Sequence, residues 1–174
     1  MPDIIPTDFP TLTTERLVLR QLSEGDGEAI FLLRSDIQIN KYLNRLPCKS
    51  LDDSLDFIKK INENTQNSPL KYWGITLKDN EKLIGTICLF GFSEELKKGE
   101  IGYELLNEYQ GKGIMIEAAK EVVAYAFQIL GLKTIEAFTH KDNENSTKLL
   151  QKLHFEQTGT DGENQELIVF TLSY

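Results

Sequence analysis

The sequence has little of what marks a disulfide-stabilised, metal-binding or membrane protein. Among its 174 residues are two cysteines and two histidines, and Cys48 and Cys88 lack the short spacing of a metal-binding motif. Both cysteines are expected to be free thiols in a reducing compartment. No apolar run approaches the roughly 20 residues that a membrane-spanning helix needs. These scarcities disfavour a secreted disulfide scaffold, a metal site and an integral membrane protein.

The sequence is also short of positive charge and of any targeting segment. Residues 1–6 have neither the basic nor the apolar region of a secretion signal, so we expect a cytoplasmic location. The net charge of −8 argues against a nucleic-acid-binding surface. Two interpretations of this charge remain, a preference for a cationic or amine-bearing partner and a contribution to solubility alone. The length favours a single domain over residues 1–174 with a buried core.

What is present is a succession of strand and helix patterns. After an extended lead-in over residues 1–13, hydrophobic periodicity predicts strands at residues 16–22, 71–77, 82–90, 99–106, 134–140 and 166–172. Capping residues and apolar stripes predict helices after Ser23, Ser50 and Asn143 and over residues 116–130, and residues 62–69 are predicted to be a polar loop. This order predicts an α/β chain whose mixed sheet has helices on both faces and one parallel crossover over residues 100–140.

The most informative stretch is the glycine-rich segment at residues 109–115, Tyr-Gln-Gly-Lys-Gly-Ile-Met. It joins a predicted strand to a predicted helix, so several backbone N–H groups meet at a positive helix N-terminus, which suits a pyrophosphate. Side chains at Gly111 and Gly113 would keep the phosphate from the backbone. The segment matches neither a P-loop nor a dinucleotide-binding fingerprint. Because ligands favour the carboxyl ends of adjacent strands, we expect the site beside the ends of strands 100–106 and 134–140.

Four motifs in the same chain resemble the GNAT superfamily of N-acetyltransferases, and within it the RimJ/RimL-like branch of ribosomal-protein N-terminal acetyltransferases. They are Thr-Glu-Arg-Leu-x-Leu-Arg at residues 14–20, Glu-Ile-Gly-Tyr at 100–103, the glycine turn with its following Glu-Ala at 109–118, and Asn-x-x-Ser with Lys-Leu-His-Phe between 143 and 155. The resemblance implies a GNAT-like, mostly antiparallel sheet of six to seven strands with one parallel βαβ crossover.

The resemblance also implies which residues bind acetyl-CoA. A backbone N–H near Leu105 or Leu106 would meet the oxyanion, Asn143 the pantetheine amides and Ser146 the sulfur, and the pyrophosphate would lie against the turn formed by Gln110, Gly111, Lys112, Gly113, Ile114 and Met115. Met115 replaces the small residue usual in the family, so either the helix start shifts or the Met115 side chain points away. His154 replaces a glycine, which alters the turn after the last helix.

Transfer of the acetyl group requires a neutral amine, a stabilised oxyanion and a proton for the departing thiolate. Glu100 matches the strand position that supplies the general base in several acetyltransferases, with a solvated strand carboxylate as the alternative. Glu104 lies on the same strand face and is the second candidate, for binding the ammonium group. Ser146 matches a serine implicated at the CoA sulfur, with helix capping as the alternative.

Two further positions bear on the chemistry. Leu150 stands where many acetyltransferases have a tyrosine that protonates the thiolate, so that acid is absent. Tyr103 is assigned to the core, with the acceptor groove as its alternative location.

The resemblance implies acetyl transfer from acetyl-CoA, without a metal, to a primary amine, with a ribosomal-protein N-terminal α-amino group as the favoured acceptor. It also implies a homo-oligomer, and neither nucleic acid nor membrane is an expected partner. One alternative is a small-amine acetyltransferase for a polyamine or an antibiotic. The other is a non-catalytic acyl-CoA-binding module, which the missing tyrosine and the Met115 substitution leave open.

Overall fold

The computed structural model describes residues 9–95 and 97–174. Over these residues the chain forms one sheet of eight strands and five α-helices. The strands are β1 (Leu12–Thr13), β2 (Leu17–Arg20), β3 (Lys71–Leu77), β4 (Asn80–Ser93), β5 (Lys98–Leu105), β6 (Thr134–His140), β7 (Glu156–Thr160) and β8 (Leu167–Ser173). The helices are α1 (Gly27–Ser35), α2 (Ile37–Asn40), α3 (Leu51–Asn67), α4 (Ile114–Gln128) and α5 (Glu144–Lys152).

The sheet is antiparallel except at its middle. Its strand order is β1-β2-β3-β4-β5-β6-β8-β7, and the parallel neighbours are β5 and β6, which are joined by the crossover helix α4. The predicted GNAT-like mixed sheet is therefore confirmed, with eight strands instead of six to seven. The two unpredicted strands carry no alternating apolar signal, since β1 has two residues and all five residues of β7 are exposed.

Helices cover both faces of the sheet, as predicted. One core cluster joins α4 and the helix residue Leu150 to sheet residues such as Trp73 and Ile87. A second cluster joins α1 and α3 to Tyr72 and Leu83 on the other face. Neighbouring residues of β3 thus enter different cores, as the two-residue period of a strand requires. We call these the α4 face and the α3 face.

Helix boundaries differ from the prediction at two places. The predicted polar loop at residues 62–69 is wrong, because α3 continues to Asn67. Buried Thr65 donates to the Asn62 carbonyl and the Asn62 amide donates to the Leu22 carbonyl, so these polar side chains are held within the helix and against the fold. The crossover helix begins at Ile114, two residues before its predicted start at residue 116.

The capping predictions are confirmed. Ser23 and Asp26 form a capping box, and Ser50 accepts a hydrogen bond from the Asp53 N–H at the start of α3. Asn143 accepts one from the Ser146 N–H at the start of α5. The expected extended lead-in falls partly outside the described residues, and its residues 12–13 form β1. No helix in the described part of the chain is long and apolar enough to cross a membrane.

We predict that Gly85→Ala destabilises the fold strongly, because β4 and β5 approach each other closely at this residue. A Cβ there would lie 2.6 Å from the Glu104 carbonyl oxygen and 3.2 Å from the Leu105 Cα, and backbone cannot move aside as a side chain can. Overpacking of this kind costs about 1–3 kcal/mol of unfolding free energy. Urea denaturation followed by circular dichroism measures the loss.

The matched control is Gly102→Ala on the neighbouring strand. A Cβ at Gly102 would meet the Cys88 sulfur at 3.3 Å and the Phe90 ring at 3.4 Å, both of them side-chain atoms that can yield. If Gly85→Ala loses no more unfolding free energy than Gly102→Ala, the close approach of β4 and β5 at Gly85 is contradicted.

Candidate active site

The sheet opens where its two parallel strands separate. Among the described residues the ladder between β5 and β6 has three pairs, from Lys98 with Thr134 to Glu100 with Glu136. Yet β5 continues to Leu105 and β6 to His140. We call the opening between residues 101–105 and 137–140 the β5–β6 gap. It lies at the carboxyl ends of both strands, where the sequence predicted a ligand site.

The backbone of β5 presents Leu105 to this gap. The Leu106 N–H donates to the Ile84 carbonyl at 2.9 Å, so it points towards β4. Hydrogen-bonding direction alternates along an antiparallel strand, so the N–H and carbonyl of Leu105 point the other way, towards β6. The Gln110 side-chain amide donates to the Leu105 carbonyl at 2.9 Å. Of the two predicted oxyanion donors, Leu105 has the suitable direction and Leu106 is engaged elsewhere.

The glycine turn lies directly after the end of β5. Gly111 and Gly113 have φ angles of 74° and 75°, a left-handed conformation that favours glycine over any other residue. Gly113 is the N-cap of α4 and no side chain caps this helix. The first N–H groups of a helix have no partner within it, so they remain available to an anion. Gly111, Lys112 and Gly113 are exposed. The turn therefore fits a diphosphate group.

Met115 does not disturb this turn. Its side chain and that of Ile114 are buried in the core on the α4 face, with 8% and 4% of their surfaces exposed. Both features foreseen for Met115 are present, an earlier helix start and a side chain directed away. The turn thus offers backbone groups to a ligand while its following side chains hold the helix to the sheet.

On the α4 face, Ser146 meets a partner that the sequence did not assign to it. The hydroxyls of Ser146 and Tyr103 are 2.7 Å apart and form a hydrogen bond between α5 and β5. Burial raises the pKa of Tyr103 to about 12. The Ser146 N–H donates to the Asn143 side chain, so Asn143 caps the helix. Leu150 is fully buried in the core. Tyr103 packs against the core on the α4 face, as the sequence predicted, and its contact with Ser146 is the part that was not predicted.

The two carboxylates lie on the other face and differ from each other. Glu100 occupies the last ladder pair, opposite Glu136, and burial followed by the charge of Glu136 raises its pKa. Glu104 is buried, and its two oxygens accept hydrogen bonds from Arg45 at 2.5 Å and Thr86 at 3.3 Å. The two residues are about 14 Å apart along the strand, at about 3.4 Å per residue. Glu100 therefore lies at the closed end of the gap and Glu104 near its open end.

One segment spans the gap from the α3 face. Arg45 reaches Glu104 on β5, and Tyr42 stacks on His140 of β6 with ring centroids 5.0 Å apart. The Asn107 amide also donates to the Asp36 carboxylate at 3.0 Å. We call residues 36–50 the bridging segment. An open pocket adjoins it, lined by Leu32, Ser35, Asp36, Ile39, Leu106, Asn107 and Glu108. Nothing in the sequence pattern indicated that this segment reaches both strands.

The described residues contain no group of three or more histidine, cysteine, aspartate or glutamate side chains that could hold a metal ion. The ligand-binding features of the gap are instead backbone N–H groups, hydroxyls and carboxylates. Such an arrangement can hold a diphosphate, polarise a carbonyl oxygen and transfer protons.

Comparison with known proteins agrees with this arrangement. Residues 16–156 match the family model described as an acetyltransferase (GNAT) domain. The chain is 36% identical over 151 residues to YoaA of Bacillus subtilis, an uncharacterized N-acetyltransferase, and the match covers 87% of this chain and 85% of that protein.

Solved structures share the fold at lower sequence identity. A ribosomal-protein-S5-alanine acetyltransferase from Vibrio fischeri has a TM-score of 0.81 at 22% identity, over 94% of this chain and 96% of the other. FdhC, a nucleotide-linked sugar GNAT, has a TM-score of 0.79 at 24% identity, over 95% and 91%. The chain therefore belongs to the GNAT acetyltransferase family and is an N-acetyltransferase, an acyltransferase of a family that uses acetyl-CoA.

Proposed function

We propose that this enzyme acetylates a protein N-terminal α-amino group at the β5–β6 gap, as in the RimJ/RimL-like branch. The observation that carries the proposal is the uncapped glycine turn at the carboxyl end of β5, where the strand parts from β6. It provides an anion site at one end of an opening that connects both faces of the sheet. Acetyl-CoA would bind on the α4 face and the acceptor amine would enter from the α3 face.

The backbone of the turn and of β5 would hold acetyl-CoA. The N–H groups at residues 111–115 suit its pyrophosphate, and Gln110 supports the end of β5 through the Leu105 carbonyl. Acetyl-CoA supplies the acetyl group as a thioester. The Leu105 N–H is directed into the gap, where it would stabilise negative charge on the acetyl oxygen.

Ser146 and Tyr103 would stabilise the departing sulfur as a hydrogen-bonded pair. Their 2.7 Å contact lets Tyr103 donate to Ser146 while Ser146 donates onward. The pKa of Tyr103 is raised to about 12, whereas a thiol titrates near 8.5. Because burial raises the pKa of Tyr103, complete proton transfer from its hydroxyl to the thiolate is disfavoured. The pair therefore acts by donating a hydrogen bond to the thiolate, and solvent supplies the proton.

A general base contributes little to the rate, because the acceptor amine loses its proton easily. An α-amino group has a pKa of about 8, so about one-tenth of it is neutral near pH 7, and a base gains at most about tenfold. Glu100 has the raised pKa that suits a base but lies far from Leu105, so it would act through water. Glu104 is adjacent to Leu105 but is paired with Arg45, which suits it to orienting the acceptor.

The bridging segment favours a polypeptide acceptor over a polyamine. Within it, residues 37–50 carry Lys41, Arg45 and Lys49 and no acidic residue, which disfavours a polycation. The carboxylate of Asp36 is already engaged by the N–H groups of Gln38 and Ile39. Leu43 and Leu46 of this segment are exposed, and apolar surface of this kind suits the side chains of a peptide. The fold does not choose the acceptor, since an S5-alanine acetyltransferase and FdhC, a nucleotide-linked sugar GNAT, both share it.

The function is tested by an acceptor panel with acetyl-CoA and detection of released thiol. We expect peptides with a free N-terminal serine or alanine to give a higher kcat/KM than spermidine or an aminoglycoside, because residues 37–50 of the bridging segment add cationic and apolar side chains but no acidic one to the acceptor side. The same peptides with a blocked N-terminus are the control, and mass spectrometry locates the acetyl group. A higher kcat/KM with a small amine would overturn the proposal of a peptide acceptor. Binding of CoA without transfer to any amine would favour the non-catalytic module.

We predict that Gly113→Ala weakens CoA binding by about tenfold or more, because it disturbs the turn and one charge-assisted hydrogen bond is worth roughly 1.5–3 kcal/mol. Gly131→Ala is the matched control, since Gly131 follows the other end of α4 with a φ of 68° and open space around its Cβ position. Both variants should lose about 1–2 kcal/mol of stability from the left-handed backbone. Calorimetry showing equal CoA affinity for the two folded variants would rule out this pyrophosphate site.

We predict that loss of the base depends on pH and that loss of the groups at the sulfur does not. Glu100→Gln should lower kcat/KM by no more than about tenfold near pH 7, and the loss should vanish near pH 9, where the amine is already neutral. Ser146→Ala and Tyr103→Phe should lose on the order of 10²-fold or less in kcat at both pH values, because they act on the sulfur. The measurement is a pH–rate profile with a good acceptor peptide.

Glu104→Gln is the comparison that separates the two carboxylates. Recovery of activity at high pH in Glu104→Gln but not in Glu100→Gln would make Glu104 the base. Full activity of Ser146→Ala would show that the Ser146 hydroxyl has no role in acetyl transfer.

A further inference from the structure

Arg16 joins the start of β2 to the glycine turn across the fold. Its backbone N–H and its Nε donate to the two carboxylate oxygens of Glu117 at 2.8 and 2.6 Å, and Thr14 Oγ1 donates to the same carboxylate at 2.5 Å. Arg16 Nη1 donates to the Lys112 carbonyl at 3.1 Å. We call Thr14, Arg16 and Glu117 the Glu117 clasp. It ties residues about a hundred positions apart in sequence.

The clasp acts on the most deformable part of the turn. Lys112 lies between two glycines that adopt positive φ, so few local restraints fix its peptide groups. Gln110 fixes the entry to the turn through the Leu105 carbonyl, and Arg16 fixes the exit through the Lys112 carbonyl. Glu117 belongs to the first turn of α4, so Arg16 holds the turn and the helix in one arrangement.

The charges at this position also need Arg16. A carboxylate in the first helical turn is attracted by the same helix end as a diphosphate and repels it. Arg16 places its positive charge on Glu117, and its side chain is 45% exposed beside the turn. Arg16 Nη2 lies 3.5 Å from the position that a Cβ on Gly113 would take. A planar guanidinium presents a fixed fork of donors to Glu117 and the Lys112 carbonyl at once, whereas an ammonium group has no such fixed geometry.

We propose that Arg16 is a positioning residue for the CoA pyrophosphate, which holds the glycine turn in its binding conformation through Glu117 and the Lys112 carbonyl. This inference rests on the proposed function of the turn. It assigns a purpose to the first of the four sequence motifs, which no step of the transfer uses. A structural role alone, joining β2 to α4, would affect stability without regard to the ligand.

The test compares ligands with and without the diphosphate. Arg16→Gln should weaken CoA binding in calorimetry on the order of tenfold, the loss of about one charge-assisted hydrogen bond. Its kcat/KM with S-acetylpantetheine, which lacks the diphosphate, should stay at the wild-type value. Arg16→Lys should restore little of the CoA affinity because the fork is lost. Lys82→Gln, which removes an exposed positive charge near the start of β4, is the control for net charge.

Thr14→Val is the milder second variant, since it removes one hydroxyl from the clasp, and it should show the same ligand dependence with a smaller loss. Unchanged CoA affinity in folded Arg16 and Thr14 variants would overturn the inference. Equal losses of kcat/KM with acetyl-CoA and with S-acetylpantetheine would also overturn it. If Gly113→Ala also leaves CoA binding unchanged, the pyrophosphate site itself is wrong. If Gly113→Ala weakens CoA binding and the clasp variants do not, the inference about Arg16 alone fails.

Discussion

The arrangement of this protein depends on a parallel ladder that stops after three pairs while both of its strands continue. Backbone groups at the end of a strand need partners, and a strand that has parted from its neighbour cannot obtain them from the sheet. At Leu105 the Gln110 side chain satisfies the carbonyl and leaves the N–H directed into the gap. In the proposed function, the opening that a sheet would ordinarily close is the place where the thioester carbonyl would be polarised. The crossover connection places the glycine turn and α4 beside this opening, and α5 follows the end of β6.

Strand alternation divides the chemistry between two faces. Tyr103 points to the α4 face, where it meets Ser146, and Glu100 and Glu104 point to the α3 face. In the proposed function, a donor bound beside α4 and α5 and an acceptor bound at the bridging segment would meet through the gap. This separation would keep Glu100 and Glu104 away from the diphosphate and from the leaving sulfur, whose negative charges they would oppose.

The sequence predicted those parts of the site whose cause is local. The glycine turn at Gly111 and Gly113 and the cap at Asn143 depend on neighbouring residues, so a single stretch of sequence indicates them. The missed contacts link distant residues: Tyr103 to Ser146, Arg45 to Glu104 and Arg16 to Glu117. Each follows from strand register and helix placement, which one chain's periodicity does not specify. For the same reason β7, with five exposed residues, and the polar end of α3 were not predicted.

The bridging segment differs physically from the rest of the site. The turn is fixed by backbone geometry and packed against the core through Ile114 and Met115, so few substitutions there would preserve the proposed diphosphate site. The bridging segment contacts β5 and β6 through side chains alone, Arg45 on Glu104 and Tyr42 on His140. Its exposed residues can therefore change without moving the strands. In the proposed function, such changes would alter which acceptor binds. A change at Arg45 is different, because it would leave the buried Glu104 charge unpaired at the edge of the gap and so affect acceptor binding and sheet stability together.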